Sequence, residues 1–143
     1  LYPRVEVTEL FREGVSDWGV IYTAFYNYKL CGILPNEFGR DGYIHPLPLH
    51  HIQFTVDPAI TARWAKISDP FYRTVRRGVE ADRDHWLVYA FDEPGGRYLL
   101  VDIYGPDAHQ CPERDPYLRD LKVEIVDPWL KGVLRCYEPP EDD

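Results

Sequence analysis

A chain of 143 residues is expected to form a single domain over 1–143, with enough apolar material, 45% hydrophobic and 15% aromatic, to exclude a disordered polymer. The net charge of −8 argues against indiscriminate nucleic-acid binding. No apolar run reaches the roughly 20 residues that span a bilayer, and no charged start, apolar core and cleavage site follow one another, so a cytoplasmic location without membrane contact is expected. Cys31, Cys111 and Cys136 are odd in number and form no CxxC pair, which fits reduced thiols rather than a disulfide framework or a zinc site.

Ser16-Asp17 reads as a helix cap, and Trp18, Ile21, Tyr22, Phe25 and Tyr26 recur at helical spacing. They predict an amphipathic helix over 17–31, ended by Gly32. The stretch Leu34 to Gly42 is rich in turn residues and reads as a loop. A short strand follows in the second half of 46–56, with Ile52, Phe54 and Val56 on one side.

Asp-Pro occurs at 57–58, 69–70, 115–116 and 127–128, a pairing suited to helix starts because aspartate caps and proline has no N–H to lose. Helices are predicted over 58–67, 116–126 and 128–137, with a helical turn after Asp69. The apolar runs 85–91 and 97–104, joined by Asp92-Glu93-Pro94-Gly95-Gly96, form a strong hairpin signal. The acidic tail 138–143 is expected to fray. Several helices with one tight hairpin indicate an α+β fold.

The chain breaks after the hairpin at Gly105-Pro106 and presents His109, a candidate general acid or base on a loop held by a rigid strand. The alternative for His109 is a loop hydrogen-bond partner; His85, at the start of the first strand, is either a second acid–base group or a purely structural residue. Arg76, Arg77 and Arg83 lie together before the hairpin and suit phosphate, although such a cluster equally makes a solvated or partner-binding face. Glu80 could act as a base only if its surroundings raise its pKa. Arg40-Asp41 reads as an internal ion pair fixing its loop, with Arg40 also a candidate substrate contact. Tyr89 belongs with Tyr43, Tyr72, Tyr98 and Tyr104 as a candidate base-stacking group, against the alternative that each edges the core. Adjacent His50 and His51 would face opposite sides of a strand, so no metal site is expected.

Tyr28-Lys29 with Gly32-Ile33-Leu34-Pro35-Asn36-Glu37-Phe38-Gly39-Arg40-Asp41, then Leu87-Val88-Tyr89, then Pro106-Asp107-Ala108-His109, resemble the YafO family of type II toxins over roughly 17–125. The resemblance implies a RelE/ParE-like fold, helices on a small antiparallel sheet. It also implies an endoribonuclease that cuts mRNA on the ribosome without a cofactor and is neutralised by a cognate antitoxin. On this reading His109, Arg83, His85 and Glu80 are catalytic candidates, and Arg76, Arg77, Tyr89 and Arg40 substrate-binding ones. The alternative is a non-catalytic binding module on the same scaffold, which the acidic net charge favours.

Overall fold

The computed structural model describes residues 3–140. Five strands, β1 (Arg4–Val7), β2 (Phe38–Tyr43), β3 (His50–Phe54), β4 (His85–Asp92) and β5 (Arg97–Tyr104), form one sheet in the order β1-β5-β4-β3-β2. Strands β2 to β5 pair antiparallel, as expected, but β1 runs parallel to β5, so the sheet is mixed. The architecture is α+β, with apolar cores on both faces of the sheet.

The hairpin forms where its pattern places it. Strand β4 is central, which explains its nearly unbroken apolar run: Leu87 and Tyr89 enter one core, while Trp86, Val88 and Ala90 enter the other. Helix α2 (Trp18–Cys31) buries Ile21 and Phe25 against the first core, and Gly32, at φ 71°, ends it. Asp17 occupies the cap position without a side-chain cap bond. Asp57 does cap α3 (Pro58–Trp64), its Oδ2 accepting from the Ile60 N–H at 3.1 Å.

The remaining elements depart from the sequence pattern for identifiable reasons. The glycine-containing stretch expected to be a loop contains edge strand β2. A Cβ on Gly39 would lie 2.5 Å from the Arg73 carbonyl oxygen and 2.9 Å from the Trp64 ring, so this glycine serves close packing rather than a turn. Strand β1 and helix α1 (Glu9–Gly14) were not expected; Thr8 caps α1 by accepting from the Phe11 N–H at 3.0 Å. Val56 lies beyond β3 and is exposed.

Helix α4 (Arg114–Leu121) begins before its Asp-Pro and runs through a widened turn, Lys122–Val126, into α5 (Asp127–Leu130). The helix expected to reach 137 therefore stops at 130. Tyr137 instead exchanges backbone hydrogen bonds with Val7 at 2.7 and 3.1 Å, a long-range pairing that competes with local helix formation. Of the tail expected to fray, 141–143 lie outside the described residues.

The expected Arg40–Asp41 pair does not form. Asp41 Oδ2 accepts from Lys29 Nζ at 2.6 Å and Tyr28 Oη at 3.0 Å, and its Oδ1 accepts from Tyr89 Oη at 2.7 Å. Arg40, next along the strand, points away: its Nε donates to the Phe71 carbonyl at 2.8 Å and its guanidinium lies 4.1 Å from the Phe71 ring centroid. Alternation along a strand makes opposite fates for neighbours the default. Burial and the Asp41 charge push the Tyr28 and Tyr89 phenols well above their ordinary pKa.

Asp41→Ala should therefore cost about 3 kcal/mol in urea unfolding, because it strands a mostly buried ammonium and two hydroxyls. Arg40→Ala should cost less than about 1 kcal/mol. Equal losses would restore the Arg40–Asp41 pair that the sequence suggested.

Candidate active site

The site is built around a buried carboxylate. Asp84 is 2% exposed and immediately precedes β4. Its Oδ1 accepts from Gln53 Nε2 at 2.9 Å, and its Oδ2 from the backbone N–H of His109 at 3.0 Å. The His109 ring Nδ1 lies 2.9 and 2.8 Å from the two oxygens. An ionised carboxylate only accepts, so the proton is assigned to Nδ1, leaving Nε2 for exchange. Burial opposes ionisation of Asp84, but the bonds from His109 and Gln53 outweigh it and hold the carboxyl below its ordinary pKa.

Local sequence explains how His109 reaches this carboxylate. At Gly105, φ 150°, a Cβ would lie 2.6 Å from His85 Cδ2 and 2.8 Å from the Asp84 carbonyl oxygen. Only a residue without a side chain lets the chain turn this closely over the start of β4. The following N–H groups stitch the loop down, Asp107 donating to Ala81 O at 2.8 Å and Ala108 to Asp84 O at 3.1 Å. Arg114 Nη1 donates to the carbonyls of Ala108 and His109, each at 2.9 Å, while its guanidinium covers Trp86 at 4.8 Å. The His109 ring meets Trp86 edge-on, 5.4 Å between centroids.

His109 faces a cavity of about 330 Å³ that Arg40, Arg77, His51 and Gln53 also line. His51 stacks on Trp86 at 4.1 Å, and its Nδ1 is buried without a hydrogen-bond partner among the described residues. Burial, reinforced by the neighbouring His109, pushes its pKa down to about 4, so it is neutral near pH 7. Its neighbour His50 stacks on Tyr89 in the other face, as strand alternation requires. A larger cavity of about 830 Å³ lies beside α1, lined by Arg12, Trp18 and Tyr137, and none of the sequence-selected residues borders it.

Of those residues, the structure brings Arg40, Arg77 and His109 together. Arg76 is exposed on the same segment but does not line the cavity. Arg83 is engaged with Asp82 at 3.3 Å and Asp57 at 3.6 Å. Glu80 does not meet the condition set for a base. Arg63 grips both its oxygens at 2.8 Å, the Arg76 N–H adds a bond at 2.7 Å, and its pKa is pushed down to about 2. Strand alternation sets His85 on the face of Leu87 and Tyr89, away from the His109–Trp86 contact, and its carbonyl accepts from Gln53 at 2.9 Å. Tyr89 is 3% exposed with its hydroxyl held by Asp41, so it offers no face for stacking a base.

Asp84, Gln53 and His51 were not selected as site residues from sequence. Their only sequence signal is alternation in β3, which puts His51 and Gln53 on one face; the contact with Asp84 needs the β3–β4 register that pairs Gln53 with Trp86.

A family model described as toxin YafO of type II toxin–antitoxin systems matches residues 26–129, a span that includes Asp84, His109 and the arginines of the cavity. No curated protein and no solved structure matches the chain.

Glu80 generates a pH prediction. Its folded-state pKa of about 2 lies below the ordinary 4.5, so the stability it contributes is fully present above about pH 4.5 and is lost as pH falls toward 2. Wild-type urea midpoints should decline across that window. Glu80→Gln should be less stable at pH 7 and decline less steeply. Parallel curves for the two proteins would reject the Arg63–Glu80 pair as a stabilising contact.

Proposed function

Because the chain belongs to the YafO family of type II toxin–antitoxin toxins, we propose that it is an endoribonuclease that cuts mRNA on the ribosome and is silenced by a cognate antitoxin. The observation that carries this reading is the His109–Asp84 pair facing a cavity shared with Arg40 and Arg77. In the proposed reaction the ribose 2′-oxygen attacks the adjacent phosphorus as a base removes its proton. The bond from phosphorus to the 5′-oxygen breaks, and an acid protonates that oxygen. The products are a 2′,3′-cyclic phosphate and a 5′-hydroxyl, and side chains carry every proton.

His109 Nε2 is the proton-exchanging atom in this scheme. Asp84 holds Nδ1–H, orients the ring and stabilises the imidazolium when it forms, the role a buried carboxylate plays behind a catalytic histidine elsewhere. Arg77 and Arg40 are the phosphate-binding residues, since a guanidinium stays charged and offers paired planar donors. The proposed ribosomal substrate places the activity in the cytoplasm. Among the described residues no helix is long and apolar enough to cross a membrane.

The second reading, a non-catalytic binding module, is favoured by the commitment of Glu80 and Arg83 to ion pairs and by the net charge of −8. Cleavage separates the two. With ribosomes present and cuts mapped by primer extension, His109→Ala should lower the cleavage rate on the order of 100-fold or more. Asp84→Asn, which keeps the shape but removes the charge, should lower it on the order of 10-fold or more. Expression of the wild-type chain alone should arrest growth, and expression of His109→Ala should not. Cleavage by His109→Ala at the wild-type rate would overturn the assignment; no cleavage and no growth arrest by the wild type would favour the binding module.

A further inference from the structure

The turn Pro70–Tyr72 carries two large aromatic side chains that the fold leaves outside both cores: Phe71 is 56% exposed and Tyr72 65% exposed. Their backbone, in contrast, is firmly held. Pro70 fixes the first position, and Asp69 Oδ1 accepts from the Phe71 N–H at 3.0 Å. The next residue, Arg73, is buried and donates to the carbonyls of Ile67, Pro35 and Phe38 at 2.8 to 2.9 Å. The Arg73 carbonyl in turn accepts from the Arg40 N–H at 3.0 Å, tying the turn to the edge of β2. Exposed aromatic rings on a fixed backbone lose little freedom when they bind something flat.

Arg40 links this turn to the proposed active site. It bonds the Phe71 carbonyl, lies against one face of the Phe71 ring, and lines the cavity that His109 faces. Neither Arg40 nor Arg77 has a carboxylate partner among the described residues. A ligand fitting this surface presents alternating negative groups and flat apolar faces at short spacing. Single-stranded RNA has that chemistry: phosphates for the arginines and bases for the rings.

Resting on the nuclease reading of the neighbouring cavity, we propose that Phe71 and Tyr72 are a stacking platform for unpaired bases flanking the RNA phosphate held by Arg40 and Arg77. The platform receives bases without reading their hydrogen-bonding edges, so it supplies affinity and strand placement. A duplex of the same sequence has its bases stacked internally and should bind weakly.

The test uses the full chain carrying His109→Ala, so that the RNA survives, and reads fluorescence anisotropy of a labelled single-stranded heptaribonucleotide. In that background Phe71→Ala and Tyr72→Ala should each raise Kd about tenfold, the size of one lost base stack. Phe71→Trp should stay within about twofold of the parent. A strand of the same length with abasic sugars keeps the phosphates but loses both stacks, so it should bind the parent about 100-fold more weakly than the intact strand does. This arm needs no substitution in the turn, so it stands even if an alanine variant folds poorly.

Unchanged Kd in both alanine variants, equal binding of intact and abasic strands, or no binding by the parent would each overturn the platform. Unchanged RNA affinity with lost antitoxin neutralisation would assign the turn to a protein partner, and also overturns it. The binding measurement needs no cleavage. Full cleavage activity in His109→Ala would sink the nuclease role of His109 while leaving the platform to be decided by Kd alone.

Discussion

The carboxylate of Asp84 is the constraint on which the local structure turns. A buried negative charge is tolerated only when its lone pairs are occupied, and here strand β3 supplies Gln53 while the loop after β5 supplies both a backbone N–H and an imidazole. Three segments distant in sequence are thereby joined at one group. The same contacts that satisfy the charge also fix the tautomer and direction of the His109 ring. In the proposed mechanism, the contacts that stabilise the buried charge are therefore the ones that ready His109 for proton transfer.

Around that group the sheet divides its work between two faces. On the α2 face Asp41 gathers Lys29, Tyr28 and Tyr89 into one hydrogen-bonded network. On the opposite face Trp86 is a shared wall, with His51 stacked on it, His109 set edge-on and Arg114 laid across it. The period-two alternation of strands explains why three pairs of sequence neighbours, Arg40 and Asp41, His50 and His51, His85 and Trp86, are separated between these environments. In each pair one member belongs to the scaffold and the other to the cavity or its wall.

That division also marks what the sequence could disclose. The hairpin and α2 were legible because their periodicity is local and strong, and His109 was legible because a Gly-Pro break follows a clear strand. Strand β2 was not, since Gly39 gives the same signal in a turn and in a strand crowded by a neighbour; only the Trp64 ring and the Arg73 carbonyl distinguish the two. The last helix was overestimated because the pairing of Tyr137 with Val7 lies 130 positions away in sequence. The choice for Tyr89 between core edge and stacking face, and the part played by Asp84, were not legible for one reason: both depend on which strand lies beside which. The matching family model covers the segments that carried the resemblance, yet it gives a family and a system rather than the partner of each side chain.

The acidic balance of the chain is reconciled with the proposed polyanionic substrate by distance and by pairing. At physiological salt, charges farther apart than about 8 Å are largely screened from one another, so a bound phosphate responds to the charges within one or two side-chain lengths. Many acids of this chain are already engaged: Glu80 with Arg63, Asp41 with Lys29, Asp92 with Arg97, Asp127 with Lys122. Arg40 and Arg77, by contrast, reach the cavity without a carboxylate partner among the described residues. Asp84, behind the proposed reaction centre, is occupied by His109 and Gln53 and so would face the proposed substrate through the imidazole. A net charge of −8 therefore limits non-specific attraction to nucleic acid at long range while leaving the cavity locally positive. Such a surface favours correct seating over general attraction, which suits the proposed reading of an RNA substrate presented on the ribosome.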